Sequence, residues 1–339
     1  MFTEDKSSNF LGREGDYYII RQPIPWPLAE SNSYLIESDD GWTVIDVGVD
    51  TPGTRLIWEQ ALQEIGIKFN QLKRIYITHC HPDHLGAAAW LQQQSQAPVY
   101  MLEAEIERAR RYIFIDKADF AAQYRQVIIN KTRPVGFPDD LLDELVKDWE
   151  YEVTPLFPRP ELLLPLHEQD MVELGGLPFE IITAPIHADG QIMLFNRKLN
   201  QLFSADVIST GAHLHFTDWP NSELASPLAE LFTLSETMEK LGEVQAFPGH
   251  GPVFNDLPQH LTSLREKQHR RLQRILSLVK EKSTPFELYE RFLKIPDIDY
   301  VHIDRVMMGE LLAYLVYLSD QGEIKEYRDE DRVRYGPIP

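Results

Sequence analysis

Short apolar runs separated by turn residues dominate the first hundred residues of the chain. They predict strands at Tyr17–Arg21, Ser33–Glu37, Trp42–Asp46, Lys73–Thr78 and Pro98–Leu102. Between them, apolar residues recur at helical spacing and predict helices at Thr54–Ile65 and Leu85–Gln94. This alternation of strands and helices favours a layered α/β fold with its helices on the outside.

A charged helical stretch from about residue 103 to 149, broken at Pro134–Pro138, interrupts this alternation. Strand patterns then return at Met171–Glu173, Phe179–Ala184, Gln191–Phe195, Gln201–Val207 and Val244–Phe247. We interpret residues 103–149 as a helical insertion. Two hypotheses stay open for it: the insertion adds surface packing only, or it covers a site, as long insertions between strands often do.

The end of the chain has a different character. Helices are predicted at Leu257–Lys282, Pro285–Phe292 and His302–Ser319, and Thr284 is expected to cap the second of them. Two strands, Glu323–Arg328 and Arg332–Tyr335, are expected to form a hairpin. Three helices followed by a hairpin are typical of a winged-helix module. We therefore predict an α/β domain at residues 1–255 and a small winged-helix-like domain at 256–339.

Composition and charge narrow the class of protein. The chain has 339 residues, 43% of them hydrophobic and 25% charged, as in ordinary soluble globular proteins. No stretch is apolar enough to span a bilayer, so we expect no membrane partner. The formal net charge of −20, nearly all of it upstream of residue 261, opposes broad binding to nucleic acids. The single cysteine, Cys80, allows no internal disulfide, so a cytoplasmic location is expected.

Candidate chemistry is concentrated in the segment His79-Cys80-His81-Pro82-Asp83-His84, between a predicted strand and a predicted helix. In extended chain, His79 and His81 project to the same side. Asp83 and His84 follow the turn at Pro82, where they can point into a neighbouring volume. Four potential ligands within six residues suit two adjacent metal ions better than one.

Three further candidate ligands follow apolar strands later in the chain. His187 comes after the strand FEIITA, Asp206 ends the strand QLFSADV, and His250 follows VQAF within Pro248–Gly251. Strand ends feed the loops that build sites in layered folds. We therefore expect these side chains to join the cluster around His79.

The segment HCHPDHLG resembles the HxHxDH signature of the metallo-β-lactamase superfamily, and the three later residues match its remaining ligands in order. The resemblance covers residues 15–255 and implies an αββα sandwich and a dinuclear metallo-hydrolase. The implied ligands are His79, His81 and His187 for one ion, Asp83, His84 and His250 for the other, and Asp206 as the bridge.

The resemblance also implies two divalent ions. Zinc is the expected metal, with iron and manganese as alternatives that such a ligand set also suits. Ions of this kind share a bridging water and lower its pKa towards neutrality, which makes it the attacking hydroxide. Asp206 would hold the ions together, and Asp83 would orient the water or receive its proton.

The ligand set departs from that of the best-known β-lactamases. There a cysteine takes the place of Asp206, and the residue after the motif aspartate is not histidine. The resemblance therefore favours the glyoxalase II, lactonase and ribonuclease-like branches of the superfamily.

Residues 257–339 are similar to the winged-helix tail of a branch that includes thioesterase-like hydrolases and an endoribonuclease. Its first helix carries the basic run Arg265, Lys267, Arg270, Arg271 and Arg274. Because the tail is neutral overall, we favour a solvated helix face over a nucleic-acid surface. A homodimer is compatible with this tail.

Several other residues have competing interpretations. Asp46 is expected either to accept a hydrogen bond from a ligand histidine and orient its ring, or to be an ordinary turn residue. Cys80 should face away from the metals and simply pack. His213 and His215 either act on the substrate, through contact or as proton donors to the leaving group, or belong to a polar loop. We expect no special role for four other histidines: His167, His260, His269 and His302.

Three functional hypotheses compete. The first is a hydrolase of a small-molecule thioester, ester or lactone, with the insertion and tail walling the pocket. The second is an endoribonuclease or phosphodiesterase acting on nucleic acid, favoured by the tail and opposed by the charge. The third is a non-catalytic protein that keeps the fold, which the complete ligand set opposes. Hydrolysis assays and salt-dependent RNA binding distinguish them.

Overall fold

The computed structural model describes residues 10–25, 30–115, 120–153, 158–209, 219–292, 301–329 and 331–339. Two β-sheets pack face to face and helices cover their outer surfaces, which confirms the predicted αββα arrangement. His213 and His215 lie outside the described residues, and so does the side chain of His302.

The first sheet has seven strands in sequence order. They are β1 (Leu11–Glu14), β2 (Tyr17–Pro23), β3 (Glu30–Ser38), β4 (Gly41–Ile45), β5 (Leu72–Ile77), β6 (Val99–Leu102) and β7 (Leu163–Leu166). The first four strands pair antiparallel, whereas β4 to β7 pair parallel. Parallel neighbours need crossover connections, and these connections contain the helices of the first half.

The second sheet has five strands in the order β12-β11-β10-β9-β8. Their ranges are β8 (Met171–Leu174), β9 (Leu177–Thr183), β10 (Ile192–Asn196), β11 (Gln201–Ala205) and β12 (Gln245–Pro248). Among the described strands of this sheet, β11 and β12 pair parallel and the other neighbours pair antiparallel.

Strand alternation explains how the sheets pack. Tyr34 and Ile36 of β3 point into the core between the sheets, whereas Leu35 points to the core under the outer helices. In β11, Phe203 faces inwards and its neighbour Leu202 faces outwards. Both faces of the central strands are thus buried, and apolar residues fill consecutive positions.

The first half carries helices α1 (Pro52–Ile65), α2 (Pro82–Leu85), α3 (Ala88–Ser95), α4 (Glu103–Tyr112), α5 (Phe120–Thr132) and α6 (Leu142–Val153). The last three form the predicted helical insertion between β6 and β7. Two short 3-10 helices lie at Phe69–Gln71 and Asp139–Leu141. The single helix predicted at Leu85–Gln94 is wrong in detail, because it is divided between α2 and α3.

The second half adds α7 (Pro227–Glu239), α8 (Leu257–Leu278), α9 (Pro285–Phe292), α10 (Val301–Asp320) and the hairpin β13 (Lys325–Arg328) and β14 (Val333–Gly336). Thr284 caps α9 as predicted: its hydroxyl accepts from the backbone N–H of Glu287, whose carboxylate accepts from the backbone N–H of Thr284. Helix α8 ends at Leu278, four residues earlier than predicted. In the part of the chain described, no helix has the length and apolarity to cross a bilayer.

Candidate metal centre

Loops that follow four strands bring seven side chains together. The loop after β5 contributes the four motif residues, and single residues follow β9, β11 and β12. All except the half-buried His81 are buried. The seven side chains are His79, His81, Asp83, His84, His187, Asp206 and His250, the set expected from the sequence.

The first group consists of three histidines. Nδ1 of His81 lies 3.1 Å from Nε2 of His79 and 2.8 Å from Nε2 of His187. All three can offer one ring nitrogen to a common point, and they form a potential ligand triad.

The second group contains one carboxylate and two histidines. Oδ2 of Asp83 lies 3.2 Å from Nε2 of His250 and 3.7 Å from Nε2 of His84. These atoms form a second potential triad. It adjoins the first, because the rings of His79 and His84 have centroids 4.1 Å apart.

Asp206 lies between the two groups. Its Oδ2 is 3.1 Å from Nε2 of His250 and 3.3 Å from Nε2 of His84 on one side. On the other side it is 3.6 Å from Nε2 of His187 and 4.0 Å from Nε2 of His79. A single carboxylate oxygen therefore faces both triads, which is the position of a bridging ligand.

Hydrogen bonds on the far side of three rings fix their orientation. Nδ1 of His84 lies 2.9 Å from the Asp46 carboxylate, and Nδ1 of His250 lies 2.8 Å from the carbonyl of Glu30. Both oxygens can only accept, so each Nδ1 carries the proton. The Thr78 hydroxyl donates to Asp46 and so accepts from Nδ1 of His79. Each Nε2 therefore faces the centre as the potential ligand atom, and Asp46 has its expected orienting position.

The donor set fits divalent metal ions. Oδ1 of Asp206 and Nε2 of His84 are buried without a hydrogen-bond partner, an expensive arrangement unless another group satisfies them. Zinc–imidazole bonds of about 2.0–2.1 Å place tetrahedral nitrogens roughly 3.3 Å apart, close to the separations in the first triad. Five imidazoles and two carboxylates supply the mixed nitrogen and oxygen ligands that borderline divalent metals prefer.

The buried carboxylates and imidazoles of the centre shift one another's pKa values. Burial, with the nearby imidazoles of His84 and His81, holds the pKa of His79 well below its usual range. Burial opposes ionisation of His250, but the Asp206 and Asp83 carboxylates outweigh it and raise its pKa to about 10. Burial would raise the pKa of Asp206, but His250 and His84 hold it well below its usual range. The ionised carboxylates thus attract positive charge to a buried volume.

Two glycines allow the loops to approach this closely. A Cβ on Gly86 would lie 2.3 Å from the carbonyl oxygen of Pro82 and 2.8 Å from that of Gly48. Its absence lets the turn between α2 and α3 contact the loop after β4. A Cβ on Gly249 would lie 2.1 Å from Oδ1 of Asp206 and 2.9 Å from Cε1 of His84. A side chain at either position would therefore displace the centre.

Strained backbone occurs at two residues beside the ligands. Asp46 has φ 56° and Ala205, directly before Asp206, has φ 46°. The left-handed region costs an ordinary residue about 1–2 kcal/mol, and Asp tolerates it better than Ala does. The pairing of β11 with β12 shifts register at Ala205. Such strain clusters at functional sites, where surrounding contacts hold it.

The residues that hold the His250 loop were not predicted from the sequence. The amide of Asn32 donates to the carbonyls of Pro248 and Gly251, and the Tyr34 hydroxyl donates to that of Pro248 at 2.6 Å. Both side chains come from β3. No local motif signals this role, since these residues lie more than 200 positions from their partners.

The cysteine and three of the histidines for which no special role was expected are not members of the centre. The Cys80 thiol is buried and accepts from a guanidinium N–H of Arg108 at 2.8 Å. His167 pairs with Glu103, His260 with Asp256, and His269 stacks on Phe232.

The chain is similar to known proteins of one family. The family model described as the Metallo-beta-lactamase superfamily matches residues 26–283, which include all seven residues of the centre. The probable metallo-hydrolase YqjP of Bacillus subtilis (strain 168) is 20% identical over 329 residues, 94% of this chain and 97% of that protein. The hydroxyacylglutathione hydrolase GloC of Haemophilus influenzae is 23% identical over 237 residues, 67% of this chain and 89% of that protein.

A solved structure matches over nearly the whole chain. The crystal structure of a metallo-beta-lactamase family protein from Thermus thermophilus superposes with a TM-score of 0.77 at 25% identity. The match covers 95% of this chain and 99% of that one, and therefore includes the helical insertion and the C-terminal helices.

Proposed function

The chain belongs to the metallo-β-lactamase superfamily, and we propose that it is a dinuclear metal-dependent hydrolase of a small-molecule thioester, ester or lactone. The observation that carries the proposal is the position of the Asp206 carboxylate. One of its oxygens faces both potential ligand triads at 3.1–4.0 Å from four histidine nitrogens. That arrangement provides for two ions held side by side.

The protein's own groups have definite tasks in this chemistry. When bound, two divalent ions lower the pKa of a water and polarise the substrate carbonyl. Asp206 sets the separation of the two triads. Burial would raise the pKa of Asp83, but His84 and His250 hold it below its usual range. The Asp83 carboxylate therefore stays ionised and can orient the attacking water by accepting its hydrogen bond.

Two observations favour an acyl substrate. The net charge of −20 repels polyanions such as RNA. Among the relatives, GloC is named a hydroxyacylglutathione hydrolase and therefore acts on a thioester. Water attack on a thioester carbonyl breaks the carbon–sulfur bond and releases a carboxylate and a thiol, so the chain needs no covalent nucleophile.

We further propose that the C-terminal elements form a winged-helix-like module whose role is to hold the insertion. Three consecutive carbonyls in the loop after α5 accept hydrogen bonds from this module. The donors are the Arg332 side chain to Arg133, the Val333 N–H to Pro134 and the Phe286 N–H to Val135. The module thus binds the insertion through backbone groups along one continuous loop.

A second set of contacts continues from the module towards the centre. Buried Arg305 of α10 lies 3.5 Å from Asp148 of α6 and donates to the carbonyl of Trp219. Beyond Trp219, the carboxylate of Asp189 accepts from the Ser222 hydroxyl at 2.7 Å. Asp189 is two residues after His187. The module, the insertion and a ligand loop are therefore linked through residues 219–222, which supports a pocket-wall role for both additions.

Two of the five basic residues on α8 are engaged with partners on other helices. Arg265 pairs with Glu239 at 2.8 Å, and Arg271 pairs with the buried Glu310 at 3.2 Å. Arg271 also donates to the Tyr314 hydroxyl. Guanidinium groups held by internal partners are less available to phosphates, which favours a structural module over a nucleic-acid surface.

The test is hydrolysis by purified, metal-loaded protein across a glutathione thioester, an acyl-CoA, a lactone, a phosphodiester and a short RNA. We expect turnover of one of the first three, its loss in Asp206→Ala, and its retention in Asp40→Ala. Asp40 is a matched control because it is exposed between β3 and β4. RNA cleavage without turnover of any acyl substrate would overturn the proposed substrate class.

A further inference from the structure

A buried glutamate outside the potential ligand set connects two of the ligand loops. Glu105 lies in the first turn of α4, and its side chain has no exposed surface. One carboxylate oxygen accepts from the backbone N–H of Cys80 at 2.8 Å, and the other accepts from that of Gly190 at 2.7 Å. Cys80 stands between His79 and His81, and Gly190 is three residues after His187.

The surroundings of Glu105 are built to keep this carboxylate ionised. Arg108, one turn further along α4, lies 3.7 Å from it and also contacts the Cys80 thiol. Burial would raise the pKa of Glu105, but Arg108 and the two backbone N–H donors hold it below its usual value. Hydrogen bonds to an ionised acceptor are shorter and stronger than neutral ones, so the two loops are firmly held.

The loop at Gly190 has been brought unusually close to α4. A Cβ on Gly190 would lie 3.0 Å from the Ala104 Cβ and 3.0 Å from both Cγ and the backbone nitrogen of Glu105. Only a residue without a side chain lets this backbone reach the carboxylate unhindered. Both the glycine and the glutamate thus serve the same contact.

We propose that Glu105 is a positioning residue that sets the separation between the His79–His81 loop and the His187 loop, and thereby the affinity of the first metal position. The inference rests on the dinuclear site proposed above. It makes a selective claim: the triad His79, His81 and His187 depends on Glu105, whereas the triad Asp83, His84 and His250 does not. If Glu105 only stabilised the fold, its replacement would lower the metal affinity of both triads.

The test measures Co²⁺ binding in paired backgrounds, by absorption spectra and competition with a chelator. The substitution is Glu105→Gln, which keeps the shape but turns one acceptor into a donor facing a backbone N–H. In a His84→Ala background, which leaves the first triad complete, we expect a loss of affinity of about 10–100-fold. In a His81→Ala background, which leaves the second triad complete, we expect Co²⁺ affinity to stay within about threefold, well below the 10–100-fold loss.

Two further variants control the experiment. Glu107→Gln removes an exposed carboxylate from the same helix and should leave both affinities unchanged. Gly190→Ala keeps the Glu105 carboxylate but pushes the His187 loop away from it. If Glu105→Gln does not fold, Gly190→Ala should cause the same loss of Co²⁺ affinity at the first triad alone. Equal losses at both positions, or none, would overturn the positioning role. Failure of the wild-type protein to bind Co²⁺ would instead overturn the dinuclear proposal and this role with it.

Discussion

Replacing Asp46 by Asn should weaken the metal position that contains His84. The carboxylate makes three short contacts: Oδ1 with the Thr78 N–H at 2.8 Å, and Oδ2 with the Thr78 hydroxyl at 2.8 Å and Nδ1 of His84 at 2.9 Å. Asn keeps one acceptor, which the Thr78 N–H occupies. Its NH₂ then faces Nδ1, so the imidazole proton must move to Nε2, the atom expected to bind metal.

The expected loss of metal affinity can be estimated. Asn tolerates the left-handed backbone at position 46, so the fold should survive and the effect should appear in metal binding. Partners of this kind contribute about 10–100-fold to metal affinity, which corresponds to about 1.4–2.7 kcal/mol. Because a hydrogen bond to a charged acceptor is lost, we expect the upper part of that range.

Zinc competition against a chromophoric chelator measures the change. Asp46→Asn should bind one ion normally and the other about 10–100-fold more weakly. Asp50→Asn is the matched control: it removes an aspartate charge from the same loop, where the carboxylate pairs with Arg55 at 2.7 Å. Binding of both ions by Asp46→Asn within about threefold of wild type would refute the orienting role, since the expected loss is larger.

Two other substitutions and metal removal test further parts of the structure. Gly249→Ala should cost the protein at least one bound ion, because its Cβ would meet the bridging carboxylate at 2.1 Å; Gly53→Ala, whose Cβ meets nothing nearer than 3.6 Å, should keep full metal content by elemental analysis. Arg305→Ala should lower the free energy of unfolding in urea by about 3–5 kcal/mol, because it removes a buried guanidinium that lies 3.5 Å from the Asp148 carboxylate and donates to the carbonyl of Trp219. The exposed pair of Arg291 with Glu281 should contribute at most about 1 kcal/mol to the free energy of unfolding, so Arg291→Ala is the control. Equal effects of Arg305→Ala and Arg291→Ala would contradict this ranking. Chelation should lower the melting temperature, since ligand at a thousandfold excess over Kd stabilises by about 4 kcal/mol; an unchanged melting temperature would count against buried ions.

The potential ligand set could be predicted from the sequence because its signals are local. Four of its members stand within six residues, and the others directly follow apolar strands that the alternation pattern identifies. The orienting position of Asp46 could be predicted only through the resemblance to the family, with a turn residue as the alternative. The contacts of Asn32 and Glu105 could not, because each depends on chain segments that only the folded topology brings together.

There are also physical reasons why some helices and strands were not predicted. Strands β1 and β7 are the two edges of the first sheet and are only four residues long. β1 contains Gly12 and two charged residues, and β7 contains Pro165, so neither shows the alternation typical of a strand. The buried face of α7 includes Ser235, and the helix carries several Thr and Ser residues of low helical propensity. The break between α2 and α3 at Gly86 follows from backbone approach, which periodicity does not record.

The central claim is that two metal ions in this centre enable hydrolysis. The most direct measurement titrates metal-free protein with zinc while turnover of a glutathione thioester is followed. We predict no turnover without metal and a rise that saturates at two ions per chain. Turnover that persists in fully metal-free protein, or that saturates at one ion per chain, would contradict the account.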